Sequence, residues 1–414
     1  MEHDSVLPPT SRRLACPSCI LALTNMRRPL LPVFIAFLAL PAFSQDPRIQ
    51  RVENGLMPAQ IGKGETIPKW TIAERMAHYN VAGVSVAVID HYAIQWAKGY
   101  GVLDKSSKQA VTVDTLFQAG SISKPVSAAA ALHLVETGKL NLDEDVNRKL
   151  KSWHVPENEF TRDQKVTLRR ILSHSAGLTV HGFPGYAVDE PIPTLIQILD
   201  GNKPANTAAI RVDMAPGTKE RYSGGGYTIL QLLLTDTTGQ PFPQLLKTTV
   251  LDKIGMDHST YQQPLPPDWA QAAASGYKPD GSPIQGKWHV YPEMAAAGLW
   301  TTASDLARFA IEIQKSREGR SNLVLSREMT TQMLTRQMDN VGLGLMLEGD
   351  AHSPRFGHGG DDAGFQAMLL ATLDSGKGAV VMVNSDNGIR LAQEIVLSIA
   401  AEYGWPDYKP REHF

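Results

Sequence analysis

Alternating apolar and polar positions at the two ends of the chain predict strands of one antiparallel sheet. Near the beginning, residues 84–90 and 93–100 are two β-prone runs joined by a short turn, which is typical of a hairpin. Near the end, residues 365–372 and 379–384 form a similar pair around a glycine-containing turn at 374–378. The pattern therefore predicts two hairpins far apart in the sequence.

Helical spacing of apolar residues dominates the chain between these hairpins. The segments that show it are 126–137, 166–175 and 227–237, a capping box at 302–305 predicts the start of another helix, and 389–403 is helical after the second hairpin. The simplest arrangement is an α+β fold, in which an antiparallel sheet formed from both termini is flanked by helices. A mainly helical subdomain, at about 121–290, is inserted into this α/β sandwich. Such an insertion creates a cleft, which is a usual place for a site.

The first 44 residues differ from the rest and predict a leader with a secretory signal peptide. Arg27 and Arg28 precede an apolar run at 30–40, and 42–44 is a small-x-small cleavage pattern. The apolar run is short for a transmembrane helix, although an uncleaved N-terminal anchor stays open as the alternative. Met26 is then the expected true start, and the protein is expected to be exported, either periplasmic or secreted.

Composition excludes several classes of partner and leaves others open. The 414 residues are 43% hydrophobic and 20% charged, with a net charge of -2, so nothing indicates binding to nucleic acid or an anionic membrane. The cysteines, Cys16 and Cys19, both lie in the leader, where their spacing is more simply accidental than a metal or redox pair. We expect a small-molecule or peptide substrate, no metal and no cofactor. The oligomeric state stays open.

A serine and a lysine lie three residues apart where a β-prone run gives way to an alanine-rich helix. Ser121 and Lys124 share one helical face, so the amine can reach the hydroxyl and accept its proton when Ser121 acts as a nucleophile. The alternative is that Ser121 caps the helix and Lys124 is a solvated surface charge. Loss of a cap costs about 1 kcal/mol, so alanine at either position is expected to leave the fold intact. The same spacing at Ser275 and Lys278 lies among turn residues and lacks a helix.

The stretch "FQAGSISKPVSAAAALHLVETGKLNLDEDV" resembles the active-site helix of the serine β-lactamase and penicillin-binding protein superfamily, in its class C-like branch. That branch contains class C β-lactamases, D,D-carboxypeptidases, D-aminopeptidases and family VIII carboxylesterases. The resemblance runs from about 81 to 403 and continues, in the order of the branch, through "ILSHSAGL", "PGTKERYSGGGYTILQLL", "IGMDHST", "AAGLWTTASDLARF" and "FGHGGDDAGF". It implies that residues 45–414 form a single β-lactamase-like catalytic domain.

The resemblance also implies roles for particular residues. Ser121 would be the nucleophile, Lys124 its proton acceptor, and Tyr222 the group that passes the proton to the leaving group, although lysine and tyrosine can share the role of base. His358 and Gly360 match an H-x-G element on a strand beside the site, and the backbone N–H of Asp361, with that of Ser121, would form an oxyanion hole. Taken alone, the tyrosine and the histidine are more simply structural residues.

Two departures from the pattern bear on the substrate. Gly224 stands where many relatives have an asparagine that holds a substrate amide, and His358 stands where others have a lysine that holds a substrate carboxylate.

The sequence leaves three candidate functions open. The first is an exported serine hydrolase that forms an acyl-enzyme on β-lactams or D-amino acid peptides. The second is a carboxylesterase for short acyl esters, and the third is a non-catalytic module that resembles penicillin-binding proteins. His174 is expected only to support a loop or a helix end.

Overall fold

The centre of the structure is an antiparallel sheet to which both ends of the chain contribute. The computed structural model describes residues 46–413, so the predicted leader lies outside the described residues. The strands are β1 (Gln60–Gly62), β2 (Gly83–Asp90), β3 (Ala93–Asp104), β4 (Gln109–Ala110), β5 (Phe117–Gln118), β6 (Tyr186–Ala187), β7 (His289–Val290), β8 (Trp300–Thr301), β9 (Met346–Glu348), β10 (Arg355–Asp362), β11 (Phe365–Thr372), β12 (Gly378–Val383) and β13 (Arg411–His413). Seven of these described strands form the main sheet, in the order β4-β3-β2-β12-β11-β10-β9, and every neighbouring pair is antiparallel.

Helices cover both faces of this sheet. They are α1 (Pro47–Glu53), α2 (Ile72–His78), α3 (Ser123–Glu136), α4 (Leu168–Leu172), α5 (Leu195–Asp200), α6 (Gly224–Thr238), α7 (Phe242–Leu246), α8 (Pro267–Ala270), α9 (Met294–Ala297), α10 (Ala303–Arg317), α11 (Arg327–Met333) and α12 (Gly388–Glu402). The helices α1, α2 and α12 pack on one face, and α10 packs on the other. No helix within residues 46–413 is both long enough and apolar enough to cross a membrane.

The central strands are buried on both faces because their side chains alternate between two hydrophobic cores. On β2, Val84, Val86 and Val88 belong to the core under α12, whereas Ala87 and Ile89 belong to the core on the opposite face. Strand β12 alternates in the same way. The period of two residues expected of a pleated strand therefore joins both layers of helices to one sheet.

The predicted α+β fold is confirmed. Both predicted hairpins are present as β2–β3 and β11–β12, and they meet because β2 pairs with β12 at the centre of the sheet. The region at about 121–290 contains the helices α3 to α8 and only the short strands β6 and β7. All described residues nevertheless belong to one compact unit.

Candidate active site

Ser121 lies in a tight turn between strand β5 and helix α3. The backbone N–H of Ala119 donates to the carbonyl of Leu299, and residues 120–122 then form one turn of 3-10 helix before α3 begins at Ser123. Gly120 has a φ of +51°, and a Cβ there would overlap the backbone nitrogen of Asp361. A glycine is therefore required where this turn meets strand β10. Ser121 caps neither helix, so the capping alternative is wrong.

Lys124 points back from the first turn of α3 to the serine. Its side chain is only 2% exposed, so the alternative of a solvated surface charge is wrong. The Nζ atom lies 2.9 Å from Ser121 Oγ and 2.8 Å from the carbonyl oxygen of Ala296, which lies in helix α9. The i, i+3 spacing thus produces the predicted contact. The carbonyl of Ala296 is a second acceptor that local spacing could not have indicated, because it is 172 residues away.

Tyr222 approaches the same amine from the loop before helix α6. The centre of its ring lies 4.9 Å from Lys124 Nζ. The ring packs between two histidines, with centroid distances of 4.2 Å to His174 and 4.9 Å to His181. Tyr222 is only partly buried and lines the cavity beside Ser121. The three predicted catalytic residues are therefore brought together around Lys124 Nζ.

Strand β10 forms the opposite wall of the site. It pairs with β11 along its whole length but with β9 only at Arg355–Gly357, so the edge from His358 to Asp362 is free to face the serine turn. A Cβ at Gly360 would overlap the carbonyl oxygen of Ala119, which explains why only glycine allows this approach. The backbone of Asp361 adjoins the turn for the same reason.

His358 is a neutral histidine in this wall. It is 7% exposed, and burial, together with the positive charge of Lys124, lowers its pKa to about 4. Its Nδ1 lies 2.6 Å from the carbonyl oxygen of Gly359. Because a carbonyl can only accept, Nδ1 carries the proton and Nε2 has a bare lone pair. Nε2 has no hydrogen-bond partner among residues 46–413.

The residues converge on an open cavity of about 580 Å³. Its lining includes Ser121, Tyr222 and His358, together with the carboxylates of Glu220 and Asp361. No lysine or arginine is among the described residues that line it. Burial raises the pKa of Asp361, and the neighbouring carboxylate of Asp386 adds to the effect. Comparable cavities beside α1 and beside α7 lie away from these groups.

Gly224 lies in close contact with two neighbouring residues. A Cβ at Gly224 would lie 3.0 Å from the ring of Phe183 and 3.0 Å from the carbonyl oxygen of His181. A side chain at this position would therefore require both neighbours to shift slightly. The site has no amide here to hold a substrate.

Two buried carboxyl groups behind the site were not identified from the sequence. Glu293 is fully buried, and burial raises its pKa to about 8. Asp362 is 4% exposed, and burial raises its pKa well above the usual value. None of their four carboxyl oxygens has a hydrogen-bond partner among the described residues. The only sequence signal was position, since Glu293 directly precedes the segment "MAAAGLW" and Asp362 follows the H-x-G element.

The fold and the site together define a class of protein. An antiparallel sheet built from both chain ends, with a serine and a lysine in contact at the start of the adjoining helix, is typical of the serine β-lactamase and penicillin-binding protein superfamily. The Beta-lactamase family matches residues 70–402, and the chain belongs to this family. Membership supports a function related to β-lactamases and penicillin-binding proteins, of the serine hydrolase type.

Individual relatives agree with this assignment. The chain is 31% identical over 244 residues to a beta-lactamase of Pseudomonas fluorescens, a match that covers 58% of this chain and 62% of the relative. It is 29% identical over 246 residues to penicillin-binding protein 4 of Amycolatopsis lactamdurans, covering 56% and 59%. The chain thus spans about three fifths of the length of these relatives. The octameric penicillin-binding protein homologue from Pyrococcus abyssi has the same fold, with a TM-score of 0.68 at 22% identity over 82% of this chain and 76% of that one.

Proposed function

We propose that the protein is a serine hydrolase that works through an acyl-enzyme. The observation that carries the proposal is the 2.9 Å contact between Ser121 Oγ and the Nζ of Lys124, a lysine that is 2% exposed. In its neutral form an amine at this distance can take the hydroxyl proton as Oγ attacks a carbonyl carbon, whereas the charged form can only donate to Oγ. The backbone N–H groups of Ser121 and Asp361 face the developing oxyanion.

Proton transfer completes the reaction in two steps. In the first step the leaving alcohol or amine departs with a proton passed through Lys124 and Tyr222, and the acyl group stays on Ser121 Oγ. In the second step water attacks the acyl carbonyl, releases the acid and returns the proton to Ser121 Oγ. Lys124 Nζ lies 4.9 Å from the centre of the Tyr222 ring, and in the proposed reaction the two groups act as a coupled pair that shares the role of base.

The first candidate substrates are β-lactams or D-amino acid peptides, as in the class C-like branch. The names of the relatives in Pseudomonas fluorescens and Amycolatopsis lactamdurans support this choice. The mechanism requires only an acyl group that fits the cavity of about 580 Å³ with its carbonyl at Ser121.

The second candidate is carboxylesterase activity on short acyl esters. Neutral His358 offers no positive charge to a substrate carboxylate, and the cavity lining contains Glu220 and Asp361 but no lysine or arginine among the described residues. Gly224 offers no amide to an acylamino side chain. The first two features favour substrates without a carboxylate, and the third favours substrates without an acylamino side chain. The third candidate, a binding module without catalysis, is disfavoured by the intact serine–lysine contact.

The test is a comparison of three reagents on the wild type: a fluorescent penicillin, a fluorophosphonate and p-nitrophenyl butyrate. We expect covalent labelling at Ser121, located by mass spectrometry of the peptide, and turnover of the ester. Labelling by penicillin supports the first candidate, whereas ester turnover without penicillin labelling supports the second. Absence of both labelling and turnover in folded protein would leave only the binding module.

Two variants provide the controls. Ser121→Ala removes a partly exposed hydroxyl, and Lys124→Met keeps the volume of the side chain while it removes the amine. Both are expected to lose labelling and to lower ester turnover by about a thousandfold or more. Full activity in either folded variant would contradict the site assignment.

We further propose that residues 1–44 act as the export leader, on the basis of their composition alone. The mass of the mature protein from the exporting host tests this, and a retained leader in exported protein would contradict it.

A further inference from the structure

His174 contacts three consecutive residues around the tyrosine of the site. Its carbonyl oxygen accepts the backbone N–H of Arg221 at 2.7 Å, and its Nδ1 accepts the backbone N–H of Ser223 at 3.2 Å. Between these two contacts its imidazole lies against the phenol ring of Tyr222, with centroids 4.2 Å apart and planes at 32°. One side chain and its backbone therefore hold Tyr222 from both flanks and from one face.

The segment that contains His174 continues this hold along the chain. The carbonyl of Thr179 accepts the hydroxyl of Ser223 at 2.8 Å, and the carbonyls of Val180 and His181 accept the N–H groups of Gly225 and Gly224 at 3.0 and 2.9 Å. These are five of the hydrogen bonds between residues 174–181 and residues 221–225, and the side chain of Arg221 adds another to the carbonyl of Gly177 at 2.6 Å.

This hold requires unusual backbone geometry. His174 has a φ of +55°, and Val180 has a φ of +63°. The left-handed region is uncommon for histidine and is an outlier for a β-branched valine. Each such residue costs about 1 to 3 kcal/mol, and such strain is concentrated at functional sites. The segment is therefore held in a conformation that local energetics do not favour.

The hydrogen bond to Ser223 requires a neutral His174. The residue is 3% exposed, and burial lowers its pKa well below the usual value, with further contributions from Lys124, His358 and His181. The groups around its ring are these three and the phenols of Tyr222 and Tyr227. With Nδ1 accepting from Ser223, the ring proton lies on Nε2.

From this geometry we propose that His174 is a positioning residue, which fixes the phenol of Tyr222 beside Lys124 Nζ for proton transfer. The proposal rests on the proposed function, because it assigns His174 to the catalytic role of Tyr222. A displacement of about 1 Å from the reactive geometry can cost about a hundredfold in rate. A residue that merely supports a loop would instead lower the stability of the fold and leave the chemistry of the folded protein unchanged.

The proposal is tested with three variants of His174. His174→Ala removes the ring and the acceptor. His174→Asn keeps an acceptor for Ser223 and tolerates the left-handed backbone, while His174→Phe keeps a ring and removes the acceptor. The matched control is His133→Asn, because His133 lies on α3 with Lys124 and its Nδ1 makes a 2.8 Å contact with a backbone carbonyl, that of Val324, away from the cavity.

The readouts are kcat and KM for p-nitrophenyl butyrate over a range of pH, with active sites counted by fluorophosphonate labelling. We expect His174→Ala to lower kcat per labelled site by about a hundredfold with little change in KM, and to shift the pH limits of kcat. The kcat per labelled site of His174→Asn should be about tenfold higher than that of His174→Ala. For His174→Phe the increase should be smaller. His133→Asn should stay within about twofold of the wild type.

Equal kcat per labelled site and equal pH limits in His174→Ala and wild type would overturn the proposal. If His174→Ala does not fold, His174→Asn decides. A loss of about tenfold in kcat with shifted pH limits supports the proposal, and activity equal to that of His133→Asn overturns it. A wild type that neither acquires label nor turns over ester refutes the proposed function and this proposal together. An active wild type with unaffected His174 variants refutes this proposal alone.

Discussion

At the scale of single residues, Lys124 shows how the site keeps an ionisable group inside the protein. A buried charge is costly unless hydrogen bonds satisfy it, and here Ser121 Oγ and the carbonyl of Ala296 both lie within hydrogen-bond distance of Nζ. The rings of Tyr222 and Tyr227 lie 4.9 and 5.7 Å from the same atom and add cation–π attraction. Lys124→Ala would leave a cavity costing about 2 to 5 kcal/mol, by analogy with buried Met. The sequence predicted that alanine at this position leaves the fold intact, whereas the burial of Lys124 indicates a larger loss of stability. Lys124→Met is therefore the variant used to remove the amine.

The buried carboxyl group of Glu293 is expected to make the stability of the fold depend on pH. Its pKa in the fold is about 8, above the value of an exposed glutamate, so the folded state retains a proton that the unfolded chain loses. The stabilising contribution of that proton is fully present at low pH, falls as pH rises from about 5, and is lost above about pH 8. Between about pH 5 and pH 8 the free energy of unfolding of Glu293→Gln should therefore fall by roughly 3 to 5 kcal/mol less than that of the wild type. Urea unfolding at several pH values measures this difference.

The control is Glu312→Gln. Glu312 is also buried, but its carboxylate accepts hydrogen bonds from Ser321 and Leu323. This variant should not flatten the dependence on pH. Parallel curves for wild type and Glu293→Gln between about pH 5 and 8 would show that Glu293 ionises normally in the fold.

At the scale of elements, the site depends on the close approach of the serine turn and strand β10. Gly120 and Gly360 are the contact points, since a Cβ on either would overlap the backbone of the other element. The approach brings the backbone of Asp361 against that of Gly120, which directly precedes Ser121. The geometry of the proposed oxyanion hole therefore depends on the packing of these two backbone segments.

Gly120→Ala tests this approach. The left-handed backbone alone costs about 1 to 2 kcal/mol, and the overlap with Asp361 adds to it by pushing the turn away from β10. We expect kcat/KM for the ester to fall about a hundredfold. Gly138→Ala is the matched control, because Gly138 has a φ of +71° with nothing within 4 Å of the Cβ position. It should show the backbone cost with full activity, and equal effects of the two variants would contradict the role of the contact.

The spacing of apolar residues predicted strands and helices correctly where interactions between neighbouring residues determine them. The strands at 84–90 and 365–372 are present as Gly83–Asp90 and Phe365–Thr372. The helix predicted at 166–175 is only Leu168–Leu172, because the chain turns left-handed at His174. The predicted capping box at Thr302 is half formed: Thr302 accepts from Asp305, but the carboxylate of Asp305 binds Ser259 and the backbone of His258 instead.

Some residues of the candidate site could likewise be predicted from local spacing, and others could not. Ser121 and Lys124 are three residues apart, so helical geometry alone predicted their contact. Tyr222 and His358 come from distant segments, and only resemblance to a family could place them near the serine. Glu220, His181 and the hold of His174 on Tyr222 depend on tertiary packing, which spacing along the chain does not encode.

At the scale of the whole molecule, an ion pair joins the two ends of the described chain. Arg75 on α2 makes a two-pronged contact with Glu394 on α12, at 2.7 Å for both hydrogen bonds, and Tyr79 donates to the same carboxylate at 2.7 Å. The side chains of Arg75 and Glu394 are 11% and 4% exposed. The pair lies on the face of the sheet covered by α1, α2 and α12, away from the candidate site.

Glu394→Ala should destabilise the fold and leave the chemistry intact. Removing the carboxylate leaves the half-buried Arg75 with Tyr79 but without its counter-ion, so we expect the free energy of unfolding to fall by about 1.5 to 3 kcal/mol. The control is Arg51→Ala, whose side chain is 58% exposed in its pair with Glu402 and which should cost about 1 kcal/mol or less. Urea unfolding and kcat per labelled site are the measurements. A loss of kcat in folded Glu394→Ala, or equal destabilisation by the two variants, would contradict this account.

The pairing of β2 with β12 has a consequence for synthesis. Ile89 lies opposite Gly378, so the middle of the sheet joins two strands that are far apart in the chain, and β2 is synthesised long before β12. Until β12 has been synthesised, the β2–β3 hairpin has no neighbour on its inner edge, and an uncovered apolar edge favours pairing with other chains. The main sheet is therefore complete only after β12 has left the ribosome.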